Sequence, residues 1–184
     1  SDVVCRVNEL TVSYAEAEGQ PIQRQLQWRI VEAVEPLSVL VDMQVFVQTS
    51  QLDSDPRLIL SGSVASASWL QLVQTDHQLD FHDMAELDAA EGCPIGAFVA
   101  PLPKKGLQYT QLLLPSDEMH AQVGVVAADG AQALRAVLFS ERLEKGVIRC
   151  ARIRGVFCDG EPTAARALEV AEEFRRSKMP LGAM

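Results

Sequence analysis

The sequence predicts an α+β fold: an antiparallel β-meander in the first half, then a mixed β/α second half whose C-terminal amphipathic helix packs on the sheet. Three observations carry it. Apolar and polar residues alternate through residues 22–47, polar clusters rich in Gly, Pro and Asp punctuate the runs, and the segment AARALEVAEEFRR repeats its apolar residues at helical spacing.

The alternation is cleanest in Leu37–Val47, where Leu37, Val39, Val41, Met43, Val45 and Val47 share one face and Asp42, Gln44 and Gln48 the other. In Ile22–Val34 the apolar set is Ile22, Leu26, Trp28 and Ile30, interrupted by Arg24, against Gln23, Gln25, Gln27 and Arg29. Val7–Tyr14 is an earlier strand and Leu58–Val64 a later one, with turns at Glu16–Pro21 and Ser50–Arg57. Leu70–Gln74 and Gln78–His82 read as a hairpin around Thr75-Asp76-His77. Such strands bury one face and leave a Gln-rich face outward. A short helix follows, capped by Asp83 with Glu86 closing a capping box, and stopping at Gly92.

Leu107–Leu114 and Ala121–Ala127 are predicted strands. For Gly130–Glu144 the Ala, Leu, Arg and Glu content favours a helix capped by Asp129; the rival is an Asp129-Gly130 hairpin leading into another strand. Val147–Phe157 reads as a strand whose arginines break parity, which predicts a bulge. The last helix starts after Thr163 and turns Leu168, Ala171 and Phe174 inward. Glu172 and Arg176 stand one turn apart, its basic end complements the helix dipole, and Pro180 stops it.

Residues 1–184 are expected to form one domain. Its subdomains would be an acidic β-sheet part, 1–91, and an α/β part, 107–184, joined by the Pro/Gly-rich segment 92–106. Charge divides along the same line: residues 1–91 hold 15 Asp/Glu and 4 Lys/Arg, and residues 92–184 hold 10 and 12, giving −11 and +2, the overall −9. Those charges predict a contact between acidic positions of the first half and the arginines around 147–157, within one chain or between copies. A pI near 4.8 opposes nucleic-acid binding and adsorption to anionic lipid. The longest uncharged stretch, Leu58–Thr75, carries too many Ser and Gln residues for a membrane span, and the first residues hold no apolar signal segment. Cys5, Cys93, Cys150 and Cys158 read as reduced, mostly buried thiols, and a cytoplasmic location is expected.

Four groups are weighed as sites. Asp80 and His82 share a strand face beside His77 and Asp83 and could contribute to a metal site, although no metal site is read and no cofactor expected. Cys150 lies among Arg149, Arg152 and Arg154, whose charges could activate it; Cys158, eight residues away, is ~26 Å along a strand and beyond disulfide reach. The same three arginines could clamp a carboxylate or phosphate. Phe98, in the 92–106 segment, is either part of a lid or docking surface or buried in a crossover.

Signatures of hydrolase elbows, zinc proteases, CxxC sites, EF-hands and phosphate loops are absent. The expected function is therefore a non-enzymatic protein-binding or assembly module, an acidic adaptor or chaperone-like protein, with a protein partner or self-association. The alternative is a small-molecule-binding protein or enzyme with its pocket at the boundary between the halves, near Phe98 and the arginines.

Overall fold

Antiparallel pairing organises the chain from its first residues. The computed structural model describes residues 1–17, 21–32, 39–54, 58–63, 69–75, 78–83, 96–102, 107–114, 122–128, 131–139, 142–160 and 163–177. The strands are β1 (Asp2–Arg6), β2 (Glu9–Tyr14), β3 (Ile22–Glu32), β4 (Val39–Thr49), β5 (Asp53–Ser54), β6 (Leu58–Ser63), β7 (Leu70–Thr75), β8 (Gln78–Asp83), β9 (Gly96–Pro101), β10 (Leu107–Leu114), β11 (Gln122–Ala128), β12 (Ala131–Leu138), β13 (Leu143–Glu144) and β14 (Ile148–Asp159). One helix, α1 (Ala164–Arg176), follows them.

Nine strands form the large sheet, in the order β1-β2-β3-β4-β14-β10-β9-β7-β8. A second sheet has the order β11-β12-β6, and β13 pairs with β5. The meander is real from β1 to β4. It then breaks, because β6 leaves for the second sheet and β14 takes the place beside β4. First-half and second-half strands are thus direct neighbours.

The two faces of the large sheet meet different layers. Met43, Val45 and Val47 of β4, Ala151 and Ile153 of β14, and Phe98 and Ala100 of β9 share a buried cluster with Leu134, Ala136 and Leu138 of β12 and with Trp69. That is the sheet-on-sheet core. On the opposite face, Leu40, Leu72, Ala97 and Val156 cluster with Ala167, Val170, Ala171 and Phe174 of α1. Each large side chain so buried contributes roughly 1.5–3 kcal/mol, which is what fixes the layers.

Several local readings are corrected. Residues 131–138 are a strand rather than a helix: buried Leu134, Ala136 and Leu138 recur every second residue, and Ala128 stands opposite Ala131. The Ala- and Leu-rich composition favours helix, but pairing on both sides, with β11 and β6, overrides it. Asp129 and Gly130 lie outside the described residues. Within the Pro/Gly-rich segment, 96–101 is a strand inside the sheet, with Ala97, Phe98, Val99 and Ala100 all buried. β14 runs in unbroken register with β4 and with β10, so the expected bulge is not there. Its parity looked broken because both faces are covered. The expected helix between Asp83 and Gly92 lies outside the described residues, apart from Asp83 itself, which ends β8.

Helix α1 begins where Thr163 caps it, the side chain accepting from the Arg166 N–H. Glu172 and Arg176 pair at 2.9 Å, and Arg175 and Arg176 lie in the last turn. The buried face comprises Ala167, Val170, Ala171 and Phe174, while Leu168 is half-buried. No helix among the described residues is long and apolar enough to cross a membrane.

Candidate functional site

Cross-strand partners share a face, so the register places side chains in rows. On the helix side of the large sheet one row is Glu9, Arg29, Asp42 and Arg154. The next is Thr11, Gln27, Gln44 and Arg152, and a third is Ser13, Gln25, Phe46 and Cys150. Where β2, β3, β4 and β14 lie side by side, this face is therefore a field of amides, hydroxyls and guanidinium groups. It spans the junction between the two halves of the chain.

Its charged centre is closed on itself. Arg154, 4% exposed, donates from Nε to Asp42 Oδ1 at 2.6 Å and from Nη2 to Oδ2 at 2.9 Å. Both carboxylate oxygens of Asp42 are thereby taken. Arg152 donates from Nη1 to the Ser177 carbonyl at 2.8 Å and to Ser177 Oγ at 3.3 Å, and from Nη2 to the Phe174 carbonyl at 3.5 Å. The Phe174 ring lies 5.0 Å from the Arg152 guanidinium and 4.5 Å from that of Arg154. Cation–π attraction and hydrogen bonds to the carbonyls at the helix C-terminus thus hold the end of α1 to this face.

Beside that centre the face is neutral. Gln25 donates to Ser13 Oγ at 3.2 Å. Gln44, 6% exposed, has its Oε1 buried without a hydrogen-bond partner, and Arg154 Nη1, a donor, is buried in the same condition. The two residues are diagonal neighbours on adjacent strands. Each such orphan costs about 1–3 kcal/mol.

The expected site residues are distributed unevenly. Arg152 and Arg154 come together over Phe174, while Arg149 sits on the opposite face of β14, level with Val47 and Arg24. Phe98 is 2% exposed and belongs to the sheet-on-sheet core, across the sheet from Arg152 and Arg154. That burial favours a strand through the core over a lid. Asp80 and His82 are exposed on β8, and Asp80 Oδ1 accepts from the Phe81 N–H at 2.8 Å. Among the described residues no three His, Cys, Asp or Glu side chains form a group able to hold a metal ion; His77 lies outside them. Burial pushes the Cys150 thiol up from 9.0 to about 11, with the Arg152 charge pulling partly against it. The thiol is held protonated, the reverse of an activated nucleophile.

Sequence reasoning missed Gln25, Gln27, Gln44 and Asp42 as site residues. Their shared parity was visible, but it read as a solvated outer face; only the second-half strand beside β4 turns that face into a junction.

No protein-family model matches the chain, and no curated protein sequence matches it. Solved structures resemble the chain, one of them at a TM-score above 0.5. One is the GH36 α-galactosidase AgaA from Geobacillus stearothermophilus in complex with 1-deoxygalactonojirimycin: 14% identity, TM-score 0.51, covering 82% of this chain and 24% of that one. Others are a GalM/aldose epimerase homologue from C. elegans (11% identity, TM-score 0.44, 87% and 69% covered) and a galactose mutarotase related enzyme from Lactobacillus acidophilus (8% identity, TM-score 0.38, 89% and 72% covered). The chain thus spans about a quarter of the galactosidase's length. The likeness to the galactosidase establishes a shared fold with part of a sugar-processing enzyme. It corrects the expectation of a non-enzymatic adaptor, chaperone-like or assembly module, and the alternative of a small-molecule binder or enzyme fits it better.

Proposed function

We propose that this chain is a carbohydrate-binding unit of a sugar-processing enzyme, and that it takes an uncharged polyol on the face formed by Gln25, Gln27, Gln44 and Thr11. The observation that carries this reading is the fold shared with a segment of an α-galactosidase. The chemistry of the face supports it. Carboxamides donate and accept at once, as sugar hydroxyls require. A hydroxyl both accepts and donates, which suits a face that holds an unpartnered donor, Arg154 Nη1, and an unpartnered acceptor, Gln44 Oε1. Asp42 has both oxygens engaged by Arg154, so the centre of this face is suited to binding rather than to glycosidic bond cleavage, which needs two available carboxyl groups. The face lies at the junction of the two halves, where a ligand contacts β3 and β4 from one and β14 from the other.

Calorimetric titration with galactose, methyl α-galactoside and 1-deoxygalactonojirimycin tests this. Saturable heat that Gln44→Ala removes is the expected result. Absence of heat with every sugar into the tens of millimolar contradicts it.

A further inference from the structure

The large sheet ends in β1, and that edge has no strand beyond it among the described residues. All five residues of β1 are exposed, with Val3 63%, Val4 51% and the following Val7 105% accessible. Exposed apolar edges of this kind template pairing with another strand. The sequence of this one, DVVCR, is matched to itself.

The hairpin geometry says which groups are free. Val7 and Asn8 form a two-residue turn, so Arg6 and Glu9 are the pair that closes it. Alternation then directs the N–H and C=O of Asp2, Val4 and Arg6 to β2, and those of Val3 and Cys5 outward. If a second β1 runs antiparallel with Val4 opposite Val4, Val3 meets Cys5 of the other copy, and each exchanges N–H···O bonds with it. Asp2 then meets Arg6 at both ends. One register therefore pairs every outward backbone group of the strand, packs two valines on the two-fold axis and neutralises four charges.

On the core side of the sheet the new contact extends an existing apolar surface, because Val3 stands beside Val12 and Cys5 beside Leu10. Against an unrelated strand the terminal Asp2 and Arg6 act as gatekeepers; against a copy in this register they attract. We infer that β1 is a homodimer edge at which two copies of this chain pair antiparallel about Val4 and join their nine-stranded sheets into one. The contact is small, so the dimer is weak and concentration-dependent. It does not rest on the sugar-binding reading, although Val4 stands opposite Thr11 and so lies beside that face of the sheet.

Sedimentation equilibrium on the chain of residues 1–184, taken to about 1 mM where millimolar dissociation constants become visible, is the test. The wild type should approach twice the monomer mass at the highest concentration. Val3→Pro removes an outward N–H that the hairpin does not use, so far-ultraviolet circular dichroism should stay unchanged while the mass falls to that of a monomer. Asp2→Arg should weaken association about ten-fold, and adding Arg6→Asp should restore it. Val4→Cys in a Cys5→Ser background should give a disulfide-linked dimer on mild oxidation. A wild type that stays monomeric throughout overturns the inference. So does a dimer that survives Val3→Pro with its affinity intact, or a double charge swap that fails to rescue.

Discussion

Arg154 and Asp42, 112 positions apart in sequence, stand opposite one another on adjacent strands and meet in a two-pronged ion pair, with the Phe174 ring 4.5 Å from the guanidinium. The pair locates the expected contact between the acidic first half and the arginines of 147–157: it closes within one chain. Another ion pair between the halves, Arg142 with Asp53 at 2.7 Å, is exposed on both sides and contributes little to stability.

The buried pair differs from the exposed one because removal of one partner strands the other. Asp42→Ala should therefore cost about 3 kcal/mol by leaving Arg154 charged, buried and without a hydrogen-bond partner. Asp42→Leu with Arg154→Met should recover most of that loss. Urea unfolding of the two single variants and the double variant measures the coupling, while Arg142→Ala should change stability by less than about 0.5 kcal/mol.

Helix α1 depends on the same arginines. Phe174 is 2% exposed and packs in the cluster with Leu40, Leu72 and Val156, so Phe174→Ala should cost about 3–4 kcal/mol. Arg152→Ala removes the donors to the Ser177 and Phe174 carbonyls without opening the apolar contact. Amide hydrogen exchange over 171–177 should then quicken, while exchange in β4 and β14 stays slow.

Cys150 sets an alkaline limit. Its folded thiol is raised to about 11 from 9.0, so the folded state holds a proton that the unfolded state releases. The stabilisation is complete below pH 9 and is lost as pH rises toward 11, by about 2 kcal/mol. Cys150→Ala should flatten the fall in thermal midpoint across that window. Site-resolved labelling at pH 8 should modify exposed Cys5 within minutes and leave Cys150 largely unreacted.

Gln44 separates a binding role from a structural one. Its buried, unpartnered Oε1 costs stability in the free chain, so Gln44→Leu should raise stability by about 1 kcal/mol in urea unfolding. A purely structural amide would give the opposite sign.

Much of the architecture was legible where one face of a strand is covered and the other is wet. β2, β3 and β4 announce themselves by alternation, and the Thr163 cap with the Glu172–Arg176 pair fixes α1 closely. Strands buried on both faces lose that signal. β9 carries four consecutive buried residues between Gly96 and Pro101 and read as loop, and β14 places Arg152 and Arg154 toward the helix with Ala151 and Ile153 toward the core. β12 was misread because alanine and leucine suit either state until a neighbouring strand decides. For the site, Arg152 and Arg154 were legible as a charged pair on one face. Their partners Asp42 and Phe174 were not, because the register that joins β4 to β14 spans about 110 residues of sequence.

Binding of an uncharged sugar to the amide face is tested by nuclear magnetic resonance of the side-chain amides during titration with methyl α-galactoside. Saturable shifts are expected at Gln25, Gln27 and Gln44, with an affinity about ten-fold weaker in Gln27→Ala and no shift at the exposed Gln51. Side-chain amides on this face that stay unmoved at every sugar concentration, or that shift no more than Gln51, would contradict it.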